Sequence, residues 1–526
     1  MISELTEAAG NETTGTLVDR LLAGQRSLSA VERFSQRHTD AKGPAKEKYY
    51  RDLIPLSRPQ EGEQYSFEVD LDACTSCKAC VTACHSLNGL DDTESWRDIG
   101  ILYGENDQGP WQQTVTTACH HCNDPGCANG CPVLAYEKDE DTGIVRHLDD
   151  QCIGCQYCVF KCPYDVPKYN QSLGIVRKCD MCHDRLSEGE APACVQACPN
   201  GAIKIKIVRQ DEVVARAERE LQMLPGAFDS RYTQPSTVYH SKKTIPSDAR
   251  PSDERDLTPE HAHMPLVWML TLTQLAAGLW LGSLLFGGPG DPVTRTWWWS
   301  AAALLSAVGV GASVLHLGRP LQAWRAFLGW RKSWLSREIL AFGGWVPLGL
   351  TALGLLLLQL PFTKIAGFSA TALGLVGVFT SVMVYADTKR SYWNLERTGL
   401  RFYGTVGLAA AASGWVAGSS LAAGVLVAAT LGKLSWEWLR TVHPARQPGW
   451  DPEIRSARVL LGPLRRMGMA RLSASLLGGI LLPLLSLALA LPSLAWAGIF
   501  LVSVGEWLER YLFFSAVTPP RMNGVV

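Results

Sequence analysis

The sequence predicts an α+β domain followed by an all-α polytopic bundle of about eight membrane helices, joined in one chain of 526 residues. Three observations predict this division. All 16 cysteines lie before position 199, and 16 of the 18 tryptophans lie after position 264. Residues 1–264 carry 28 basic and 41 acidic side chains, whereas residues 265–526 carry 21 and 9. A nearly neutral chain thus conceals halves of −13 and +12. A single uniform globular protein is excluded, and length alone allows several domains. The charge placement argues against nucleic acid as a partner, because the polar half is acidic and the basic residues sit between apolar runs.

Residues 1–64 form an amino-terminal arm. They contain neither a charged segment leading into an apolar export core nor a twin-arginine pair. Spaced apolar residues from Leu17 to Phe34 predict a short amphipathic helix, either an ordinary surface helix or an arm that docks on a partner. The expectation is that the cysteine-rich half stays in the reducing cytoplasm, where structural disulfides are disfavoured and so many thiols bind metal.

The cysteines fall into four groups of four: Cys74, Cys77, Cys80, Cys84; Cys119, Cys122, Cys127, Cys131; Cys152, Cys155, Cys158, Cys162; and Cys179, Cys182, Cys194, Cys198. Thiolates two residues apart let a tight loop wrap one face of an iron–sulfur cubane, and the last cysteine of a group turns away to a second cluster. Proline after that cysteine redirects the chain. It follows Cys131, Cys162 and Cys198, whereas His85 follows Cys84. Zinc would pair two C-x2-C knuckles around one tetrahedral ion and leave the third closely spaced cysteine without use. The spacing therefore predicts four [4Fe–4S] clusters over residues 65–205, in tandem ferredoxin-like folds.

With CHHCNDPGC, CIGCQYC, RKCDMC and the insertion between Cys182 and Cys194, this segment resembles the four-cluster iron–sulfur subunit of the dimethyl sulfoxide reductase family of molybdenum oxidoreductases. The resemblance implies that the groups pair first with fourth and second with third. One cluster would take Cys74, Cys77, Cys80 and Cys198, and its mate Cys179, Cys182, Cys194 and Cys84. A third would take Cys119, Cys122, Cys127 and Cys162, and the fourth Cys152, Cys155, Cys158 and Cys131. Some relatives replace one ligand and hold a [3Fe–4S] centre, but every ligand is present here.

Residues 206–263, polar and punctuated by five prolines, read as a linker. From 264 onward, runs of about 20 apolar residues recur, each long enough to cross a bilayer. They lie near 265–286, 297–315, 339–360, 367–386, 402–418, 419–438, 470–489 and 491–510. Counted as eight helices, 19 of this half's 21 Lys and Arg fall on the side shared by both termini, leaving Arg295 and Lys364 opposite. The positive-inside rule then puts the clusters in the cytoplasm, on a multi-pass protein of the cell membrane. Merging the fifth and sixth helices would break that pattern. Trp297 to Trp299, Trp324, Trp330 and Trp334 stand at helix ends, as interfacial anchors do or as contacts to a quinone would.

Ionisable groups at membrane depth mark function more often than exposed ones. His316 in HLGRPLQAWRAF precedes SWLSREI, where Glu338 opens the third helix, and GEWLERYLFF carries Glu506 and Arg510 four residues apart. These two places resemble the quinol-oxidising membrane anchor of the same family, usually a separate polypeptide and here fused. His316 is the candidate proton acceptor for quinol, or else a helix cap or lipid contact. Glu506 and Arg510 are candidates for the same site, or an i,i+4 ion pair tying the last helix to the bundle. The resemblance implies a subunit that moves electrons from the quinone pool through four clusters to a separate molybdopterin-containing catalytic subunit, which reduces nitrate or an S- or N-oxide. The alternative partner is a hydrogenase or formate dehydrogenase delivering electrons to quinone.

Overall fold

The computed structural model describes residues 50–522, except 107, 108, 247 and 287–291, and a few isolated positions before Tyr50. The amphipathic segment expected over 17–34 falls almost wholly outside the described residues.

In the amino-terminal half, β1 (Glu63–Asp70) lies at the centre of a sheet, between β8 (Ile203–Arg209) and β9 (Val238–His240). Tyr65, Phe67 and Val69 stand opposite Ile207, Ile205 and Ile203, pairs of aromatic and β-branched side chains that stabilise one face of an antiparallel ladder. A second sheet is the hairpin of β2 (Asp98–Asn106) and β3 (Gly109–Thr117), edged by β10 (Arg250–Pro251). Two short hairpins, β4 (Tyr136–Lys138) with β5 (Val145–His147) and β6 (Lys168–Asn170) with β7 (Ile175–Arg177), complete the strands. Five helices of ten residues or fewer lie against the cysteine loops: α1 (Ala79–Asn88), α2 (Gly126–Gly130), α3 (Tyr157–Lys161), α4 (His183–Ser187) and α5 (Ala193–Gln196).

The segment 206–263 is not a slack linker. It completes β8, forms α6 (Gln210–Glu220), which buries Val213 and Ala217, and then supplies β9 and β10 to the two sheets. Its prolines sit between these elements or, like Pro251, at a sheet edge where no ladder donor is needed.

Eight long helices follow: α7 (Met264–Leu285), α8 (Pro292–Val314), α9 (Trp334–Leu357), α10 (Thr363–Ala386), α11 (Leu395–Val416), α12 (Ser420–Ala445), α14 (Arg465–Leu489) and α15 (Leu494–Ser515). The amphipathic α13 (Pro452–Leu461) lies between α12 and α14. Among the described residues, α7, α8, α9, α10 and α14 are long and apolar enough to cross a membrane. The other three have the length but carry charged side chains that the bundle buries. α11 and α12 are separate helices, turned at Gly418 in a left-handed conformation that glycine adopts at little cost. The α7–α11 contact is built on small residues. A Cβ at Gly278 would come within 2.5 Å of the Ala409 Cβ, and one at Gly282 within 2.1 Å of the Ser413 hydroxyl. Trp297, Trp324 and Trp330 are exposed, as anchors should be. Trp299 departs from that expectation: it turns inward against Trp280, with ring centroids 4.8 Å apart, and its indole donates to Ser283 at 2.9 Å.

The two halves share one core. Tyr157 and Phe160 of α3 pack in the same hydrophobic cluster as Val267, Phe342, Tyr385, Trp393 and Phe513. Tyr157 donates to the Val384 carbonyl at 2.8 Å, and Arg390 donates to the carbonyls of Phe160 and Val159 that α3 leaves open at its end. Backbone meets backbone at Gly154, Gly174 and Gly318, where any side chain would collide. A Cβ on Gly318 would fall 2.1 Å from the Gly174 carbonyl oxygen. Gly318→Ala is therefore expected to lower the thermal stability of the detergent-solubilised protein, by about 1–3 kcal/mol, the usual cost of overpacking. Gly311→Ala, whose Cβ meets nothing within 4 Å and which lies inside α8, should not lower the melting temperature.

Candidate metal centres and their junction with the membrane helices

The cysteine loops share a backbone device. The residue before the second cysteine of each group has positive φ: Ser76, His121, Gly154 and Met181. Lys78 and Gln156 repeat it between the second and third cysteines. For a non-glycine residue this conformation costs about 1 kcal/mol, so it persists only where the surroundings demand it. The demand is visible in the hydrogen bonds. The turned backbone aims Gly154 N–H at the Cys152 sulfur and Met181 N–H at the Cys179 sulfur, each at 3.4 Å.

The Cys-Pro sequences end in a second device. Leu134, Asp165 and Gly201, three residues after Cys131, Cys162 and Cys198, are again left-handed. The next N–H then returns to the sulfur, from Ala135 to Cys131 and from Ala202 to Cys198, both at 3.2 Å. Cys84 lacks the proline because it lies within α1, which runs on to Asn88, and the Asn88 side-chain amide takes over as donor at 3.5 Å.

These loops gather sulfurs from distant groups. Cys74, Cys77, Cys80 and Cys198 line one hollow, and Cys119, Cys122, Cys127 and Cys162 line another. Cys84 lies close to Cys182 and Cys194, and Cys179 close to Cys84 and Cys194. Cys158 neighbours Cys155, Cys152 and Cys131. The four sets stand in a row. Cys80 of the first feels Cys194 of the second, and Cys179 of the second feels Cys119 of the third. Tyr136 lies among Cys127 of the third and Cys131 and Cys158 of the fourth.

Burial pushes the Cys84 thiol up to about 12, and those of Cys131, Cys162 and Cys182 up to about 11. Such thiols become thiolates only when a cation takes the place of the proton. Among the described residues, no three His, Cys, Asp or Glu side chains converge as they would on a single ion. Four thiolates on zinc would each stand about 2.3 Å from it. The tetrads, with their closely spaced third cysteine and N–H donors aimed at sulfur, suit iron–sulfur clusters.

The fourth set lies against the membrane helices. Arg319 N–H donates to Ile153 and Gly329 N–H to Pro132, at 3.0 and 2.7 Å, while the Ser333 hydroxyl donates to Gly130 at 2.6 Å. His316, two residues beyond α8, hydrogen-bonds to the Cys155 backbone. Its ring is 5.2 Å from that of His263, which in turn contacts His261 at 4.9 Å and Phe160 at 5.1 Å. Burial, reinforced by neighbouring histidines, holds His316 down at about 4 and His263 at about 3, so both are neutral at pH 7. His261 and His263 escaped sequence reasoning because they fall in the segment read as linker. The HAHM sequence directly before the first helix was the available signal. Glu338, on α9, is buried, accepts from the Ser381 hydroxyl, and lies near Tyr157 and Tyr385.

Glu506 and Arg510 do not pair with each other. Glu506 pairs with Lys433 of α12 and accepts from Thr405 of α11. Arg510 donates to Thr405 at 2.7 Å and to Gln274 of α7 at 3.1 Å, and pairs with Glu509. Arg401 pairs with Glu509 at 3.4 Å, and Arg471 with Glu437 at 2.7 Å. Helical spacing makes Glu506 and Arg510 neighbours, but each has a nearer partner: Lys433 of α12 for Glu506, and Glu509, Gln274 and Thr405 for Arg510. The pair is thus the centre of a buried interhelical network. Lys433→Met strands the Glu506 carboxylate and is expected to cost about 3–5 kcal/mol of stability. Adding Glu506→Leu should recover most of that loss in thermal unfolding, because a missing pair is cheaper than a lone buried charge.

Residues 111–208 match the 4Fe-4S dicluster domain family, and residues 254–443 match the family described as DMSO reductase anchor subunit (DmsC). Among known proteins, the B subunit of the anaerobic dimethyl sulfoxide reductase of Escherichia coli strain K12 is 43% identical over 148 residues, covering 27% of this chain and 72% of the relative. The probable anaerobic dimethyl sulfoxide reductase subunit YnfG of the same strain is 42% identical over 186 residues, 33% of this chain and 87% of the relative. The formate dehydrogenase-O iron-sulfur subunit of that strain is 34% identical over 185 residues, 32% of this chain and 61% of the relative. The chain belongs to the dimethyl sulfoxide reductase family as an electron-transfer and membrane-anchor component, with the iron–sulfur subunit and the anchor fused in one polypeptide.

Proposed function

We propose that the chain takes electrons from a membrane quinol and delivers them to a molybdopterin-containing catalytic subunit, the molybdopterin being held by that partner. The observation that carries this reading is the row of four sulfur sets, the last of which rests on the loop bearing His316. In this reading the row holds four [4Fe–4S] clusters. Their ligand sets, from the outer end inward, are Cys74, Cys77, Cys80, Cys198; Cys84, Cys179, Cys182, Cys194; Cys119, Cys122, Cys127, Cys162; and Cys131, Cys152, Cys155, Cys158. When bound, the clusters supply one-electron relays whose potentials follow the charge and hydrogen bonding around their sulfurs.

Quinol oxidation yields two protons with two electrons, so the chain must offer an acceptor beside the ring hydroxyl. His316 Nε2 is buried and has no hydrogen-bond partner among the described residues, while the ring is oriented by its bond to the Cys155 backbone. A neutral imidazole so fixed accepts a hydrogen bond from a hydroxyl and lies next to the innermost cluster loop. The ordinary near-neutral pKa of histidine does not apply here, because burial lowers it to about 4. His316 is therefore a point of transit for a proton and not a place to store one. Glu338, buried near Tyr157 of the same cluster loop, is a further titratable group on that side.

The distribution of 19 of 21 basic residues supports a multi-pass protein of the cytoplasmic membrane with its iron–sulfur domain facing the cytoplasm. The exposed Trp297, Trp324 and Trp330 suit contact with the lipid interface.

The complex purified without air, partners retained, should contain about four cubanes per chain together with molybdenum or tungsten. Cubane iron without either metal would point to another catalytic partner, and zinc in place of iron would end the electron-transfer reading. His316→Ala should abolish cluster reduction by added quinol while leaving iron content and reduction by dithionite unchanged. Unaltered quinol-driven reduction would remove His316 from the site.

A further inference from the structure

Two cations are buried between the sulfur sets, where a cation alone would be costly. Arg97, just before β2, is 2% exposed, and Lys178, just after β7, is 3% exposed. The Arg97 guanidinium lies over the Phe67 ring, 4.7 Å from its centroid. It donates to the Thr116 hydroxyl at 3.2 Å, and that hydroxyl lies 3.7 Å from the Cys80 sulfur. Its Nη2 is buried with no hydrogen-bond partner among the described residues. The groups that attract it are the sulfurs of Cys194, Cys80, Cys179 and Cys84, drawn from the first and second sets. Lys178 donates to the carbonyls of Val145 and Cys179 and approaches the Cys119 sulfur at 3.7 Å. Its attracting groups are Cys119, Cys127 and Cys179, from the second and third sets, with Asp180 weaker than these.

Taking a cation out of water costs several kcal/mol unless a counter-charge is supplied. A carboxylate is the usual one. Here the counter-charge is thiolate sulfur on either side of each cation. A cluster with four thiolate ligands is anionic, and gaining an electron adds one more negative charge without any bond being made or broken in the protein. A cation fixed nearby in a medium of low dielectric favours that reduced form. At the remaining gap, between the third and fourth sets, the chain puts the neutral hydroxyl of Tyr136.

We infer that Arg97 and Lys178 are fixed charges at two successive inter-cluster gaps that raise the reduction potentials of the clusters flanking them. The second cluster, held by Cys84, Cys179, Cys182 and Cys194, is flanked by both and is raised most. The innermost cluster, held by Cys131, Cys152, Cys155 and Cys158, receives neither. Electrons entering at the membrane therefore move toward increasingly favourable clusters for the first two steps. Arg97 and Lys178 are positioning residues and touch no substrate. The inference rests on the four-cluster reading above.

The test is anaerobic potentiometric titration of the full purified complex, followed by electron paramagnetic resonance. Arg97→Gln should lower the midpoints of two clusters, and Lys178→Gln those of two, with one cluster lowered in both variants and one lowered in neither. The expected change is at least tenfold in each one-electron reduction constant, about 59 mV. Arg97→Lys and Lys178→Arg keep the charge and should retain most of the wild-type potentials. If a glutamine variant loses iron, the other site and the charge-keeping variants carry the same comparison. Four unchanged midpoints at full iron content, or equal shifts in all four, would overturn the inference and leave the proposed function standing. A wild-type protein without iron–sulfur signals would overturn the reading beneath it.

Discussion

Gathering sixteen thiols, most of them buried or half-buried, in one small domain concentrates negative charge as soon as metal replaces their protons, and the cluster domain is organised around balancing it. The loops turn their backbone to positive φ at Ser76, His121, Gly154 and Met181 before the second cysteine and at Leu134, Asp165 and Gly201 after the fourth, and N–H groups there reach the sulfurs of Cys152, Cys179, Cys131 and Cys198. Arg97 and Lys178 add whole charges where sulfurs of two sets approach one another. The sheets are secondary to this. β1 and β8 hold the ends of the cysteine-bearing chain together, and β2 with β3 carries Thr116 to its contact with Cys80 and Arg97.

A second constraint, fixed distance, governs the junction with the helices. Three glycines, Gly154, Gly174 and Gly318, let main chain touch main chain, so no flexible side chain intervenes between the innermost cluster loop and the turn after α8. Tyr157 and Phe160 extend the membrane core into the cluster domain, and Arg390 caps α3 from the far side. Electron transfer needs a separation that does not fluctuate. A shared core with backbone contacts fixes it more firmly than a hinge between two domains would. Fusion into one chain adds covalent connection, and the segment 206–263 removes slack from it by pairing with both sheets.

Features legible in the sequence are those whose cause is local. A cubane dictates the spacing of its ligands within one loop, so the cysteines announced themselves. Membrane helices announce themselves through about 20 consecutive apolar residues. The separation of α11 from α12 followed from charge placement. What escaped depends on partners far apart in the chain. Glu506 and Arg510 are four residues apart, yet Glu506 binds Lys433, 73 residues away, and Arg510 binds Gln274, 236 residues away. His261 and His263 acquire a role only because the helices bring His316 against them. Trp299 sits in a run that reads as an interfacial belt, and only packing against Trp280 turns it inward.

The anchor is also unequal in its physics. α7 to α10 are apolar enough to stand in lipid on hydropathy alone, whereas α11, α12 and α15 are not. Those three compensate by pairing charges across the interfaces between them, with the Thr405 hydroxyl taking hydrogen bonds from Arg510 and Lys433 while serving Glu506. A well-packed apolar interface would often be as stable, so buried ion pairs are weak evidence for stability. Their geometric demands are strict, however: each charge has only one arrangement of neighbours in which it is neutralised. The network therefore specifies which helices meet and in which register. The apolar surfaces of α7 to α10, interchangeable with lipid in their chemistry, cannot do this for themselves. Because α7 enters the network through Gln274 and packs on α11 through Gly278 and Gly282, that register passes to the helix that begins one residue after His263.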